Sequence, residues 1–248
     1  MTTISETGHA KNVANFEVLI SFCNGYGVVY NPSKNSIKIV ALNTLKTTAQ
    51  GNIATVTNTN TAFNNATNSR QIVFAPIKKL ATKIVNALAA TDAAQQTIDD
   101  AKTINRKIQG SRKEPITPPP PPTDPNATPP EDNSISVSQQ SYDSLLDNFK
   151  KLIALVTAEP TYLPNENELK VVNLNIQAAD LATKNTAVIG ATTTLSNARI
   201  ARNKTLYTPK TGLYDTTQEV KKYVKSVFGA TSPEYKQVSG IKFVNLGL

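Results

Sequence analysis

The sequence predicts an all-α protein made of two duplicated up-and-down helical bundle modules joined by a proline-rich linker. Three observations predict it. Apolar residues recur at helical spacing on both sides of a central segment. That segment, from Pro115 to Pro130, holds nine of the fifteen prolines. The flanks on either side of it match each other along their length. The expected organisation is a first helical module at 1–112, a linker at 113–136 and a second helical module at 137–248.

The match between the flanks is specific. Asn15-Phe16 and Leu19-Ile20 answer to Asn148-Phe149 and Leu152-Ile153, and Tyr30 and Pro32 to Tyr162 and Pro164. The run Ile37-Lys38-Ile39-Val40-x-Leu42-Asn43 parallels Leu169-Lys170-Val171-Val172-x-Leu174-Asn175. Asn65-Ala66-x-x-x-Arg70 parallels Asn197-Ala198-x-x-x-Arg202. Leu80, Ile84, Leu88 and Ala90-Thr91 then answer to Val220, Val224, Phe228 and Ala230-Thr231. Between Arg202 and Val220 the second copy carries eight extra residues, about two helical turns.

The first element is a helix over about 12–28, where Phe16, Leu19, Ile20 and Cys23 fall on one face. Its counterpart places Tyr142, Leu145, Phe149, Leu152, Ile153 and Val156 likewise. Turns follow at Asn31-Pro32-Ser33 and Leu163-Pro164-Asn165. Asn165 with Glu168 forms a capping-box pattern, and Ser33 can cap in the first copy. Residues 46–69 are rich in Thr and Asn, and Thr55, Thr57, Thr59 and Thr61 alternate as on a strand. A threonine ladder for ice or polysaccharide is disfavoured because the second copy holds Ala187, Ile189, Ala191 and Thr193 there. Both copies keep a seven-residue period instead, with Leu42, Ala49, Val56 and Phe63 answering to Leu174, Leu181, Val188 and Leu195. A long helix over about 34–73 is expected, which Gly51 weakens. Pro76 and Pro209 break the chain or open the next helix. The third element buries Leu80, Ile84, Ala87 and Leu88 and turns Lys78, Lys79 and Lys83 outward. The fourth starts at Thr91-Asp92, and at Ser232-Pro233-Glu234 in the second copy. It buries Ile98, Ala101, Ile104 and Ile108, and Gly110 closes it.

Composition narrows the function classes. Apolar residues make up 39% and Trp is absent, so cores of small residues are expected. The net charge of +8 is concentrated in 1–112, where 12 Lys and Arg stand against 5 Asp and Glu. The single Cys23 cannot form an internal disulfide and reads as a small buried hydrophobe. With one histidine, His9, and one cysteine, a zinc site would need a carboxylate set, and no metal or cofactor is expected. No apolar run is long enough to span a bilayer, and Met1–Asn12 lacks a secretory pattern, so a cytoplasmic location is expected.

Candidate chemistry is sparse. Arg70 and Arg202 occupy matching places near the ends of the long helices. They are candidate anion or partner contacts, with helix capping or a salt bridge as the structural reading. Lys102, Arg106 and Lys107, extended by Arg112 and Lys113, form one basic cluster, and Lys221, Lys222 and Lys225 a second. Phosphate binding needs such charge on a shared face. Tyr223 is the one aromatic residue within them in sequence, too few for a stacking platform, which favours a solvated helix face. The carboxylate pairs Asp99/Asp100, Asp143/Asp147 and Glu166/Glu168 have no base beside them, and no glycine-rich phosphate loop is present. Asn65, Asn126 and Asn203 begin glycosylation sequons, read as chance in an Asn- and Thr-rich chain.

The stretches Asn-Asn-Ala-Thr-Asn-Ser-Arg (64–70) and Val-Phe-Gly-Ala-Thr-Ser-Pro (227–233) give the chain a further likeness. Its pattern resembles uncharacterised bacterial proteins with two similar helical halves. The resemblance spans most of the chain, implies no activity and carries over no functional residue.

The expected function is therefore a non-enzymatic structural or interaction protein. Two similar bundles on a stiff tether would present paired surfaces for partner bridging or self-association. No small-molecule substrate is expected. The alternative is weak, sequence-independent nucleic-acid binding through the basic helix faces.

Overall fold

The protein is described from a computed structural model covering residues 8–110 and 140–246. The described residues are all-α, with no strand among them. The expected linker, 113–136, lies outside them, as do Arg112, Lys113 and Asn126.

Among the described residues eight α-helices are formed: α1 His9–Gly25, α2 Ile39–Phe74, α3 Ile77–Ala89, α4 Gln95–Gln109, α5 Tyr142–Ala158, α6 Val171–Tyr207, α7 Leu213–Phe228 and α8 Pro233–Ser239. They divide into two compact units. The first comprises Met1–Asn64 and Gly190–Leu248, the second Asn65–Ile189. Each unit draws helices from both sides of the proline-rich segment. In the first, α1 packs on α7 and α8; in the second, α5 packs on α3 and α4.

Each unit has its own core. In the first, Phe16, Leu19, Ile20 and Cys23 of α1 meet Leu42 and Ala49 of α2, Leu206 of α6, Leu213, Val220 and Val224 of α7 and Val238 of α8. In the second, Ile77, Leu80, Ile84 and Leu88 of α3 meet Ile98, Ala101 and Ile108 of α4, Phe149, Leu152 and Ile153 of α5, and Leu174 and Leu181 of α6.

The long helices form as the seven-residue period requires, but their burial differs. Leu174, Leu181, Val188 and Leu195 are all buried on α6. Of the matching residues on α2, Leu42 and Ala49 are buried, and Val56 and Phe63 are half-buried. Gly51 does not interrupt α2, which runs unbroken for 36 residues. Thr55, Thr57, Thr59 and Thr61 each donate their hydroxyl to the carbonyl four residues earlier, so these hydroxyls are satisfied within the helix.

Several helix starts differ from expectation. α1 begins at His9, not 12, and ends at Gly25, followed by a 3₁₀ turn at Gly27–Val29. Short 3₁₀ turns at Asn35–Ile37 and Asn167–Leu169 precede α2 and α6. Neither Ser33 nor Asn165 caps a helix there; Lys34 and Glu166 stand at those starts with no side-chain cap. A buried tyrosine ties each turn down instead. Tyr30 Oη donates to the Ile37 carbonyl at 2.7 Å and Tyr162 Oη to the Leu169 carbonyl at 3.0 Å. α4 begins at Gln95, because Thr91 serves the end of α3: its hydroxyl donates to the Leu88 carbonyl and accepts the Ala93 amide. Ser232 does cap α8, accepting the Tyr235 amide at 3.0 Å with Pro233 at the first helical position. Gly110 closes α4 in the left-handed region at φ 76°.

Candidate functional site

Arg70 lies near the end of α2, in the second unit, and is turned onto its neighbours. Its guanidinium stacks 4.0 Å from the centroid of the Tyr142 ring, and Nη1 donates to Asn185 Oδ1 at 3.1 Å. Asn185, buried on α6, passes a hydrogen bond on to Asp143 at 2.6 Å. Phe74 meets the Tyr142 ring edge-on at 4.8 Å. Arginine suits this place because its planar group stacks on a ring while its N–H groups still donate. Its Nε is buried without a hydrogen-bond partner.

Arg202 lies near the end of α6, in the first unit, and is half-buried. Its Nε and Nη2 both donate to Asn203 Oδ1, at 3.0 and 2.8 Å. Burial holds its own pKa below the ordinary arginine value. His9 is close enough to feel its charge: burial, then Arg202, lower the histidine pKa. His9 Nδ1 is 2.8 Å from Tyr207 Oη, which also accepts from Asn12 Nδ2 at 3.2 Å. Tyr142 and His9 are the first residues of α5 and α1, so each arginine sits beside the start of a helix from the other flank.

The basic clusters are more open. On α4, Lys102 pairs with Asp99 at 3.1 Å and Arg106 donates to Thr103 at 2.8 Å. Lys107 is exposed. On α7, Lys222 and Lys225 are exposed and Lys221 is half-buried. Lys221 donates to the carbonyls of Ser239 and Ile241 and lies 5.2 Å over the Phe243 ring. Lys225 lies 5.7 Å over Tyr235. Folding thus sets aromatic rings beside the α7 lysines that the linear order keeps apart.

One member of each of the carboxylate pairs is engaged on the surface by a lysine. Hydrogen bonds from Lys102 and then Gln95 hold exposed Asp99 below the usual carboxylate range. Asp147 pairs with Lys151 at 2.6 Å and Glu168 with Lys83 at 2.7 Å. Among the described residues no three His, Cys, Asp or Glu side chains gather as a metal site. Among the described residues, shallow concavities lie along Val40, Asn43, Thr44, Thr47 and Thr48 and over Lys150, Ile153, Ala154, Thr157, Ala158 and Asn175. Among the described residues no helix is long and apolar enough to cross a membrane.

What the surface does present is apolar side chains at matching places. Val40, at the start of α2, is 80% exposed, and Val172, at the start of α6, is 71% exposed. Val28 before α2 and Leu163 before α6 are exposed as well, at places the sequence match does not pair. The sequence match pairs Val40 with Val172 but does not reveal their exposure. Comparison with protein-family models, curated proteins and solved structures finds no match.

Proposed function

We propose that this protein is a non-enzymatic interaction protein whose two units present similar apolar surfaces, used for self-assembly or for bridging partners. The observation that carries this reading is the exposure of Val40 and Val172 at equivalent positions, one in each unit. An exposed large apolar side chain repeated at equivalent places is a better contact candidate than one scattered singly. The sequence match between the two flanks supports it, because two like surfaces on one chain gain avidity when both engage. The pairing of Asp99, Asp147 and Glu168 with lysines and the shallow concavities support a role without catalysis. The test is sedimentation velocity across a concentration series, with Val40→Asp and Val172→Asp singly and together. Association that weakens with each substitution supports the reading. A strict monomer at high concentration with no captured partner overturns it.

A second reading rests on the rings beside Lys221 and Lys225. Lysines with adjacent aromatic groups suit sequence-independent contact with single-stranded nucleic acid. A gel shift at low salt tests it, since electrostatic binding is strongest there. No shift at low salt rules it out, and a shift lost in a Lys222→Glu/Lys225→Glu variant supports it.

A further inference from the structure

After α8 the chain continues as an extended strap, residues 241–246, fastened to the first unit. Asn12 on α1 uses both ends of its amide on one strap residue. Its Nδ2 donates to the Val244 carbonyl at 2.7 Å, and its Oδ1 accepts the Val244 amide at 3.0 Å. Asn15 Nδ2 donates to the Lys242 carbonyl at 2.7 Å. Lys221 holds the strap's start through the Ile241 carbonyl. All these bonds reach the strap through its backbone.

Asn12 is also the end of a chain of hydrogen bonds that begins at His9. Tyr207 Oη accepts from Asn12 Nδ2, and in the neutral tautomer with its proton on Nε2 the His9 ring accepts the Tyr207 hydroxyl proton at Nδ1. That nitrogen accepts only in the neutral ring. A protonated ring carries N–H on both nitrogens, so Nδ1 becomes a donor and the Tyr207 proton loses its partner. The new charge would stand at the first residue of α1, where the helix dipole is already positive. It would also stand beside Arg202. The groups facing it from α6 are Tyr207 and Arg202, with Arg199 acting on Arg202. On α1 the near charge is Lys11, and the first turn carries no acidic residue. Glu17 is engaged with Lys46, and the strap contributes Lys242. Burial and Arg202 both keep the ring neutral, in that order, which agrees with the geometry.

We propose that His9, Tyr207 and Asn12 form a proton-sensitive latch that holds the strap 241–246 on α1 while His9 is neutral and loosens it when His9 is protonated. His9 and Asn12 are one helical turn apart, so a shift of the first turn of α1 moves the Asn12 clamp directly. Release would uncover the core surface against which Ile241 and Phe243 are packed.

The experiment uses the full, untagged chain. His9 is the single histidine, so one imidazole resonance reports its titration. Exchange of the Val244 amide, corrected for intrinsic rate, reports the strap, and both are followed from about pH 7.5 to about pH 5. Val244 protection is expected to fall in step with His9 protonation. The fall is up to about tenfold for each pH unit separating the His9 midpoints of the latched and released states. In His9→Gln the protection should no longer depend on pH. Protection unchanged through the His9 midpoint, or the same fall in His9→Gln, overturns the latch. Should His9→Gln open the strap at every pH, Arg202→Gln decides. It must raise the His9 midpoint and the Val244 transition together, and movement of one without the other overturns the proposal.

Discussion

The Arg70 guanidinium lies 4.0 Å from the centroid of the Tyr142 ring, joining the end of α2 to the first residue of α5. The same arginine donates to buried Asn185 on α6, so one side chain ties together three helices of the second unit. A partly desolvated cation over a ring and a hydrogen bond to a buried amide each contribute about 1 kcal/mol.

Arg70→Ala is therefore expected to destabilise the protein by about 2 kcal/mol in urea unfolding, followed by a probe in the second unit. Arg70→Lys should recover only part of that, because an ammonium cannot stack and donate in the same plane. A double-mutant cycle with Tyr142→Leu should show a coupling of about 1 kcal/mol. A coupling near zero would mean that the stacked geometry carries no energy.

Cys23 gives a readout of the first unit. It is 1% exposed in the core, and burial pushes its thiol pKa up to about 12. At neutral to mildly alkaline pH it is expected to resist a thiol-specific reagent in the folded chain and to react at once in denaturant. Labelling under native conditions should then track opening of that core. Immediate stoichiometric labelling of the native protein would contradict the described burial.

Gly51 and Gly190 lie within α2 and α6, and a Cβ added at either meets nothing within 4 Å. Neither requires a left-handed backbone. Gly51→Ala and Gly190→Ala should each stabilise by about 0.5–1 kcal/mol, by removing the entropy cost of glycine in a helix. Thermal unfolding checks both, and a loss of stability would show that the bare backbone is needed for a contact.

Stability should depend on pH through His9. Its folded pKa is lowered, so the unfolded chain binds the proton more readily. This contribution is fully present above the unfolded value of about 6.5 and is lost progressively as the pH falls below it. The loss levels off once the pH passes the folded pKa. Urea midpoints from about pH 8 to about pH 5 should show this loss in the parent chain and not in His9→Gln. Equal slopes in the two proteins would assign the loss to other groups.

Much of the local structure was legible along the chain. The spacing of Phe16, Leu19, Ile20 and Cys23 placed the buried face of α1, and the seven-residue period placed those of α2 and α6. Ser232-Pro233 and Gly110 marked the ends they form. The starts of α2 and α6 were misread, because 3₁₀ turns at Asn35–Ile37 and Asn167–Leu169 come first, each held by a tyrosine hydroxyl that donates to a carbonyl seven residues on. Capping rules see only the nearest three or four residues. Arg70 and Arg202 were legible as a matched pair, but their partners Tyr142 and His9 were not, since each contact spans distant sequence.

The sequence by itself determined which residues are helical and which face of each helix is apolar, because both follow from backbone propensity and a 3.6-residue period. Only the tertiary structure decided which helices share a core. The stripe of Leu80, Ile84 and Leu88 on α3 answers to Val220, Val224 and Phe228 on α7, so α1 and α5 each had two similar partners available. Periodicity cannot choose between like apolar stripes. Specific contacts set the choice, with Asn12 and Tyr26 binding the segments beyond α7 in one unit and Arg70 stacking on Tyr142 in the other.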